Sequence, residues 1–149
     1  PEAEILVLLP EMSSKPFHRS REMKRVRTIF RKQDLRLDAL CFCVYAPPFG
    51  VVPLELDETY PLSQYEAAMP TDEETGDYVV QEVVEYIERK RQDYRTIVFY
   101  ANGALGEQMA RKMERVASRP SPVIVKMGEH IWARKALTTL AETIAKASE

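Results

Sequence analysis

Short, continuous apolar runs alternate with longer amphipathic stretches along this chain of 149 residues. The apolar runs are typical of strands buried in a parallel sheet, and they lie at Ile5–Leu9, Leu40–Tyr45, Arg95–Ala101 and Pro122–Met127. The amphipathic stretches predict helices at Ser20–Lys32, about Thr71–Arg91, about Leu105–Ala117 and Ile131–Ala147. Because strands and helices alternate, the pattern predicts a three-layer α/β/α sandwich with a mainly parallel sheet of about four strands.

Three loops follow the carboxyl ends of the predicted strands, where ligands bind in open parallel sheets. They are Pro10–Ser20, Ala46–Gln64 and Ala101–Glu107. The second loop belongs to a long connection over Phe49–Met69, which contains prolines and aromatic residues and is predicted to be ordered. Connections of this length in a compact domain are usually functional, so we expect the site to include it.

The composition fits one globular domain over residues 1–149, with 45% apolar and 30% charged residues. No apolar run approaches the roughly 20 residues of a membrane-spanning helix, and the first residues lack the basic start of a signal peptide. Cys41 and Cys43 lie too close together to cross-link the fold. We therefore expect a cytoplasmic protein without membrane contact. The start at Pro1 indicates a processed protein or a domain of a longer chain.

Few side chains have the chemistry of a metal site. Cys41 and Cys43 share one face of a predicted strand, and the chain adds only two histidines, His18 and His130. A metal site needs three or four ligands, and the chain has no other cysteine or histidine to add. Two core cysteines are the favoured interpretation, and we expect no metal and no cofactor.

Two further features have a structural interpretation. Gly103–Gly106 opens a helix after a strand, and it lacks both the dinucleotide fingerprint and the Lys-Ser/Thr pair of a P-loop. An ordinary turn is therefore favoured over a phosphate loop. Trp132, with Ile131 and Leu137, is predicted to lie on a core-facing stripe of the last helix rather than to stack on a base.

Charge is distributed unevenly along the chain. The segment Lys15–Arg36 contains nine basic and two acidic residues, a net charge of +7, whereas Glu55–Asp93 contains twelve acidic and three basic residues, a net charge of −9. Basic segments of this kind are typical of surfaces that bind phosphate groups. The alternative is a solvated helix face that the acidic segment balances. The candidate RNA contacts are Arg19, Arg21, Lys24, Arg25 and Arg27.

Lys15 is the strongest candidate for chemistry in the first loop. Pro16 restricts its backbone, and it precedes a predicted helix N-terminus at Ser20. A lysine held in this way binds phosphate or, with a lowered pKa, acts as a base; the alternative is a surface lysine in a turn. In the second loop, Glu55 lies near Tyr60 in the sequence, among other acidic residues. Such carboxylates suit acid–base chemistry; the alternative is that they are exposed acidic residues on a loop.

Two segments together resemble one protein family. The first is Ile5–Pro10 followed by Lys15-Pro16-Phe17 and Ser20, and the second runs from Phe49 through Gly50, Pro53 and Glu55 to Tyr60-Pro61. Both are similar to the core domain, of the DUF5591 type, of archaeosine synthase, the archaeal tRNA-modifying relative of tRNA-guanine transglycosylase. The resemblance spans nearly the whole chain, and it implies a uracil-DNA glycosylase-like fold.

The signature loop of that family reads Pro-Cys, three residues, Lys-Pro-Tyr, two residues, Ser, two residues and His. Four positions match it: Pro10, Lys15, Pro16 and Ser20. Three differ, because Glu11, Phe17 and Met23 replace the cysteine, the tyrosine and the histidine. The resemblance implies three catalytic residues, Lys15, Ser20 and Glu11. It implies seven substrate-binding residues: Pro10, Pro16, Phe17, Gly50, Pro53, Glu55 and Tyr60.

The family's reaction, by resemblance, adds free lysine to the nitrile of a 7-cyano-7-deazaguanine base in tRNA. Such an addition needs a deprotonated amine and a proton for the nitrile nitrogen. We therefore expect tRNA as a partner, together with a separate transglycosylase-like or PUA-type RNA-binding chain or domain. The domain is expected to be part of a longer tRNA-modifying protein or a partner of one.

Two alternatives stay open. The first is a non-catalytic module that binds RNA or a protein and has lost activity through Glu11, Phe17 and Met23; it predicts that Met12, Phe17 or Met23 fills the cleft. The second is a glycosylase that acts on a flipped base, which the fold allows but no motif supports.

Overall fold

The protein is described by a computed structural model that covers residues 4–13, 17–46, 50–53, 81–82, 84–86, 88–89, 93–101, 107–108, 110–112, 123–126 and 130–147. Five strands are present: β1 (Ile5–Pro10), β2 (Leu40–Ala46), β3 (Gly50–Pro53), β4 (Thr96–Ala101) and β5 (Val123–Lys126). The helices are α1 (Arg21–Lys32), α2 (helical residues within 81–89), α3 (helical residues within 107–112) and α4 (Arg134–Ala147). Single 3₁₀ turns lie at Phe17–Arg19 and Leu37–Ala39.

The strands form one sheet in the order β3-β2-β1-β4-β5, with β1 at its centre. Strands β1, β2, β4 and β5 are parallel. In register, Val7 of β1 lies between Phe42 of β2 and Val98 of β4. The prediction of a mainly parallel sheet of about four strands is confirmed.

The fifth strand is absent from the sequence prediction. β3 runs antiparallel to β2 at the edge of the sheet, with Gly50 opposite Ala46 and Pro53 opposite Cys43. Its residues had been assigned to the long connection after β2. A run of four residues containing a proline is too short for the alternation that identifies a strand, and the proline is tolerated because the strand lies at an edge.

One face of the sheet packs against α1 and α4. The buried side chains of β1 on this face are Ile5, Val7 and Leu9, and they form one cluster with residues of both helices. The helices contribute Met23, Val26, Ile29 and Phe30 from α1, and Leu137, Leu140, Ala141 and Ile144 from α4. Their spacing at three and four residues is the period of an amphipathic helix, so the predicted apolar stripes face the core.

The opposite face of the sheet carries a second cluster. Leu6 and Leu8 of β1 pack there with Cys43, and Val84 and Tyr86 of α2 pack against them. Because helices cover both faces, the architecture is the predicted three-layer α/β/α sandwich. Cys41 and Cys43 lie on this face, as the alternation along β2 predicted, and they form no disulfide.

The last helix begins later than the sequence predicted. α4 starts at Arg134, and residues 131–133 form a turn before it. Ile131 and Leu137 are buried as expected, but Trp132 is half-buried and lies in the turn. The helical placement of Trp132 was therefore wrong, whereas its packing against the core is confirmed. Tyr100 and Arg25 donate hydrogen bonds to the carbonyls of Ile131 and Trp132 in this turn. These bonds compete with the helical conformation.

Candidate functional site

The candidate site lies at the carboxyl end of the parallel sheet. From β1 the chain passes through α1 to β2 on one side, and the next parallel strand, β4, lies on the other side of β1. Ligands in open α/β sheets bind where the strand order reverses in this way, outside the carboxyl ends of the strands. Here the reversal is between β1, which ends at Pro10, and β4, which ends at Ala101.

Ser20 is the N-cap of α1 and is fully buried. Its hydroxyl oxygen accepts a hydrogen bond from the backbone N–H of Met23 at 3.0 Å, and the hydroxyl donates to the sulfur of Met12 at 3.1 Å. An N-cap side chain of this kind satisfies one of the helix's unpaired N–H groups. The hydroxyl thus joins the first loop to the first turn of α1, and a catalytic role for Ser20 stays a prediction.

A second link joins the loop after β1 to the first turn of α1. The carboxylate of Glu22 accepts hydrogen bonds from the backbone N–H of Ser13 at 2.8 Å and from its hydroxyl at 2.9 Å. Partial burial raises the pKa of this carboxyl, but the two bonds from Ser13 and the charge of Arg21 outweigh it. The pKa of Glu22 therefore lies below its ordinary value, and the carboxylate is ionised near neutral pH.

Three side chains of the signature loop and the first turn of α1 are part of the hydrophobic core. Met12, Phe17 and Met23 are 5%, 1% and 0% exposed, and all three belong to the cluster beneath α1 and α4. Phe17 and Met23 stand where the family pattern has tyrosine and histidine. These two positions therefore supply packing rather than polar groups at this end of the sheet.

The structure describes only some of the other predicted site residues. Pro10 is buried at the end of β1 and pairs with Tyr45, whereas Glu11 is exposed immediately after it. Gly50 and Pro53 are placed by the backbone of β3. Four predicted site residues lie outside the described residues: Lys15, Pro16, Glu55 and Tyr60. The convergence of the first and second loops on one pocket therefore stays a prediction.

The predicted RNA contacts lie on or next to α1, and most of them are exposed. The exposed basic stripe of α1 consists of Arg21, Lys24, Arg25, Arg31 and Lys32. These positions repeat at three, four and seven residues, so they share the face opposite the core, over about 16 Å of helix. Arg19 is also exposed. Arg27 differs, because it is half-buried and its guanidinium donates to the carbonyl of His18 at 2.8 Å.

Trp132 belongs to this end of the molecule, which the sequence analysis did not predict. The guanidinium of Arg25 donates to the carbonyl of Trp132 at 3.1 Å. A cavity of about 290 Å³ lies there, and its described lining is Arg21, Glu22, Arg25 and Trp132. The sequence contains one signal for this placement: Trp132 lies just after the fourth predicted strand, and the carboxyl ends of the strands are also where the basic helix begins.

Two kinds of feature are absent from the described residues. Among them, no group of three or more histidine, cysteine, aspartate or glutamate side chains is arranged to hold a metal ion. Within the same residues, no helix is long and apolar enough to cross a membrane.

Comparison with known proteins identifies the family. The model of one family, described as a domain of unknown function (DUF5591), matches residues 1–144. The chain belongs to the DUF5591 family. The resemblance predicted from the two sequence motifs is thereby confirmed.

Two curated relatives of this DUF5591 chain are much longer proteins. Archaeosine synthase subunit alpha of Methanosarcina acetivorans is 27% identical over 146 residues, which are 97% of this chain and 22% of that protein. A tRNA-guanine(15) transglycosylase of Methanobrevibacter smithii is 34% identical over 90 residues, which are 59% of this chain and 14% of that protein. The DUF5591 chain thus spans less than a quarter of either relative.

A solved structure shares the fold of the DUF5591 chain. The crystal structure of AF0587, a protein of unknown function, aligns with a TM-score of 0.66 at 20% identity, over 97% of this chain and 45% of that one. At this identity the likeness shows the fold alone. The uracil-DNA glycosylase-like label stays a prediction.

Proposed function

We propose that this DUF5591 domain acts on tRNA in archaeosine-type modification, as a domain or partner of a larger enzyme. Its family membership and the names of its two curated relatives support this function. The observation that carries the RNA part of the proposal is the basic stripe of α1, which begins beside the loop that follows β1. In this proposal the stripe binds the tRNA backbone, and the loop faces the modified nucleotide.

The proposed reaction is the addition of lysine to the nitrile of a 7-cyano-7-deazaguanine base in tRNA, or a diverged form of it. In this reaction Lys15 binds a phosphate or delivers a proton, and Glu11, once desolvated by tRNA, takes a proton from the attacking amine. Glu11 is exposed in the unliganded chain. Ser20, a predicted catalytic residue, also supports the loop through its bonds to Met12 and to the N–H of Met23.

A second candidate function has its own structural support. The burial of Met12, Phe17 and Met23 favours a non-catalytic tRNA-binding module, because core side chains occupy two positions of the family's polar signature. The module would share the RNA surface and lack the transfer reaction. Binding alone therefore cannot separate the two candidates, and an activity assay is needed.

The first test is tRNA binding by the chain across a salt series. We expect binding that weakens steeply with salt, because each phosphate contact releases counterions. The variant K24A/R31A/K32A removes three exposed charges from the stripe and should lower the salt slope by about one unit per lost phosphate contact. Fluorescence anisotropy with labelled tRNA measures both quantities.

A matched control removes the same charge elsewhere. The variant R89A/R95A/R111A changes three exposed arginines outside α1, so it should keep the slope of the wild type. Equal slopes in both variants, or no binding at low salt, would overturn the proposed RNA surface. Lysine transfer to tRNA that carries the nitrile base then separates the enzyme from the non-catalytic module.

A further inference from the structure

The turn that carries Trp132 is held in place from two sides. The buried hydroxyl of Tyr100, near the end of β4, donates to the carbonyl of Ile131. The guanidinium of Arg25 on α1 donates to the next carbonyl, that of Trp132, at 3.1 Å. Two consecutive carbonyls are thus bound by side chains from a strand and a helix. The position of Trp132 is fixed before any ligand arrives, as preorganised binding sites require.

The orientation of the indole is also fixed. The rings of Trp132 and Tyr100 pack edge to face, with centroids 6.3 Å apart and planes 70° apart. Trp132 is half-buried, so part of its ring is covered by the core and part borders the cavity. A rigid, partly exposed indole is an apolar flat surface in an otherwise charged setting.

The cavity beside this indole is small and basic. Its volume of about 290 Å³ is at the lower end of the roughly 300–1,000 Å³ typical of small-molecule sites. Arg21 is exposed, and Arg25 uses one of its five N–H donors for the turn, which leaves donors for a ligand. The carboxylate of Glu22 is turned to Ser13 by two hydrogen bonds. The described lining therefore offers two guanidinium groups and one aromatic face.

We infer that this cavity binds a single unpaired nucleotide of an RNA strand, with its base against Trp132 and its phosphate on Arg21 and Arg25. Aromatic faces beside basic groups are how proteins bind unpaired bases, since stacking accepts the base and the cations accept the phosphate. The identification of the strand as tRNA rests on the proposed function; the pairing of indole and guanidinium groups does not.

The position of the cavity suits this role. It lies where α1 and α4 both begin, at the carboxyl end of the sheet, and the basic stripe leads away from it along α1. A strand whose backbone follows the stripe would therefore reach Trp132 at the end nearest the loop after β1. The cavity would hold one nucleotide in place while that loop faces a neighbouring one.

The test uses the fluorescence of Trp132, which is the single tryptophan of the chain. We expect its emission to be quenched by a short guanosine-containing single-stranded RNA and, more weakly, by guanosine monophosphate. Guanosine and inorganic phosphate should quench much less, because each supplies half of the ligand. W132A should weaken RNA binding by roughly 5- to 150-fold, the range for loss of one stacked base.

Three further variants separate stacking and phosphate contact from folding and from a general loss of charge. W132F keeps an aromatic face and should retain most of the affinity. R21A removes an exposed charge without touching the Trp132 carbonyl, and it should weaken binding and lower the salt slope by about one unit. R111A changes an exposed arginine outside α1, so it should leave the quenching of Trp132 by the short RNA unchanged. Denaturation in urea verifies that each variant folds.

The outcomes also distinguish this inference from the proposed function. The inference is overturned if Trp132 emission is unchanged at saturating short RNA and tRNA, or if W132A binds RNA as tightly as the wild type. In either case, tRNA binding through the stripe would leave the proposed function intact. Equal quenching by phosphate and by the monophosphate means a simple anion site and also overturns it. Quenching by the short RNA with no tRNA binding upholds the cavity and removes the tRNA proposal.

Discussion

The two ends of the parallel sheet each carry a cavity, and the two cavities differ in charge more than in size. The cavity at the carboxyl end, about 290 Å³, has two arginines and an indole in its described lining. The cavity at the amino end, about 340 Å³, includes Glu4, Asp34, Arg36 and Arg95, whose charges balance. Glu4 and Arg95 form an exposed ion pair at 3.5 Å. The amino end thus neutralises its own charges, whereas the carboxyl end leaves cationic donors for a ligand.

The ends also differ in how the chain is secured. At the carboxyl end, the hydroxyl of Ser20, the carboxylate of Glu22 and the guanidinium of Arg25 each bind a neighbouring segment. At the amino end, α1 ends at Lys32, and Asp34 follows with a φ of 61°, a left-handed conformation that asparagine and aspartate tolerate. The amino end is joined mainly through the backbone, because the N–H of Glu4 donates to the carbonyl of Ala39 and the N–H of Arg95 donates to the carbonyl of Glu4. Cavity volume alone would favour the amino end, at about 340 Å³ against about 290 Å³.

The largest expected effect comes from the core beneath the carboxyl end. Met23 is fully buried, so Met23→Ala should lower the free energy of unfolding by about 2–5 kcal/mol. Leu35→Ala is the matched change at the amino end, where Leu35 is half-buried, and it should cost less. Urea denaturation measures both values. Equal losses would contradict the view that the carboxyl end is the more firmly packed.

A smaller effect is expected from the N-cap of α1. Ser20→Ala removes the bonds to Met23 and Met12 and should cost about 1 kcal/mol of unfolding free energy. Thr139→Ala is the control, since its exposed hydroxyl donates only to a carbonyl within α4, and it should be nearly neutral. If urea denaturation shows Ser20→Ala to be as stable as the wild type, the hydroxyl has no structural role.

The smallest effect concerns pH. Folding lowers the pKa of Glu22, so the ionised carboxylate adds stability near neutral pH, and this contribution is lost as the pH falls from about 4.5 towards the folded pKa. Because the carboxylate is only partly buried and solvent screens it, we expect under about 1 kcal/mol. Thermal unfolding from pH 6 to pH 3 should show a shallower decline for Glu22→Gln and for Ser13→Ala than for the wild type.

The amino end provides the comparison for this pH series. Asp38 is exposed, and the hydrogen bond and charge of Arg36 lower its pKa. The direction is the same as for Glu22, but solvent screens the pair fully. Asp38→Asn should therefore change the pH dependence less than Glu22→Gln. A larger change for Asp38→Asn would reverse the ranking of the two ends.

Much of the sheet was predictable because its strands are buried on both faces. The predicted strand Ile5–Leu9 is observed as Ile5–Pro10, and the predicted helix after Ser20 is observed as Arg21–Lys32. Continuous apolar runs and an amphipathic period arise because buried positions need apolar side chains, so both patterns are visible in the sequence. β3 has no such pattern, since it is short and lies at the edge of the sheet.

The candidate site was less predictable because it depends on contacts between distant residues. The basic stripe was evident from composition, but the bond from Arg25 to Trp132 joins residues 107 positions apart. Nothing in the local pattern distinguishes Arg25, which donates to another segment's backbone, from Lys24, which does not. The same reason explains why Trp132 was assigned to a helix stripe. The motif match identified the family, but it did not indicate which of its residues are core.

The central position of β1 has a consequence for the order in which the molecule is completed. Leu8 pairs with Cys43 on one side and with Phe99 on the other. During synthesis β1 and β2 are available together early, whereas the second neighbour of β1 arrives only when β4 has been made. Pairing over such a separation closes a long loop, which slows folding. The crevice between β1 and β4 therefore cannot exist on a nascent chain that ends before Ala101, and until then the backbone N–H and C=O groups on that edge of β1 lack their strand partner.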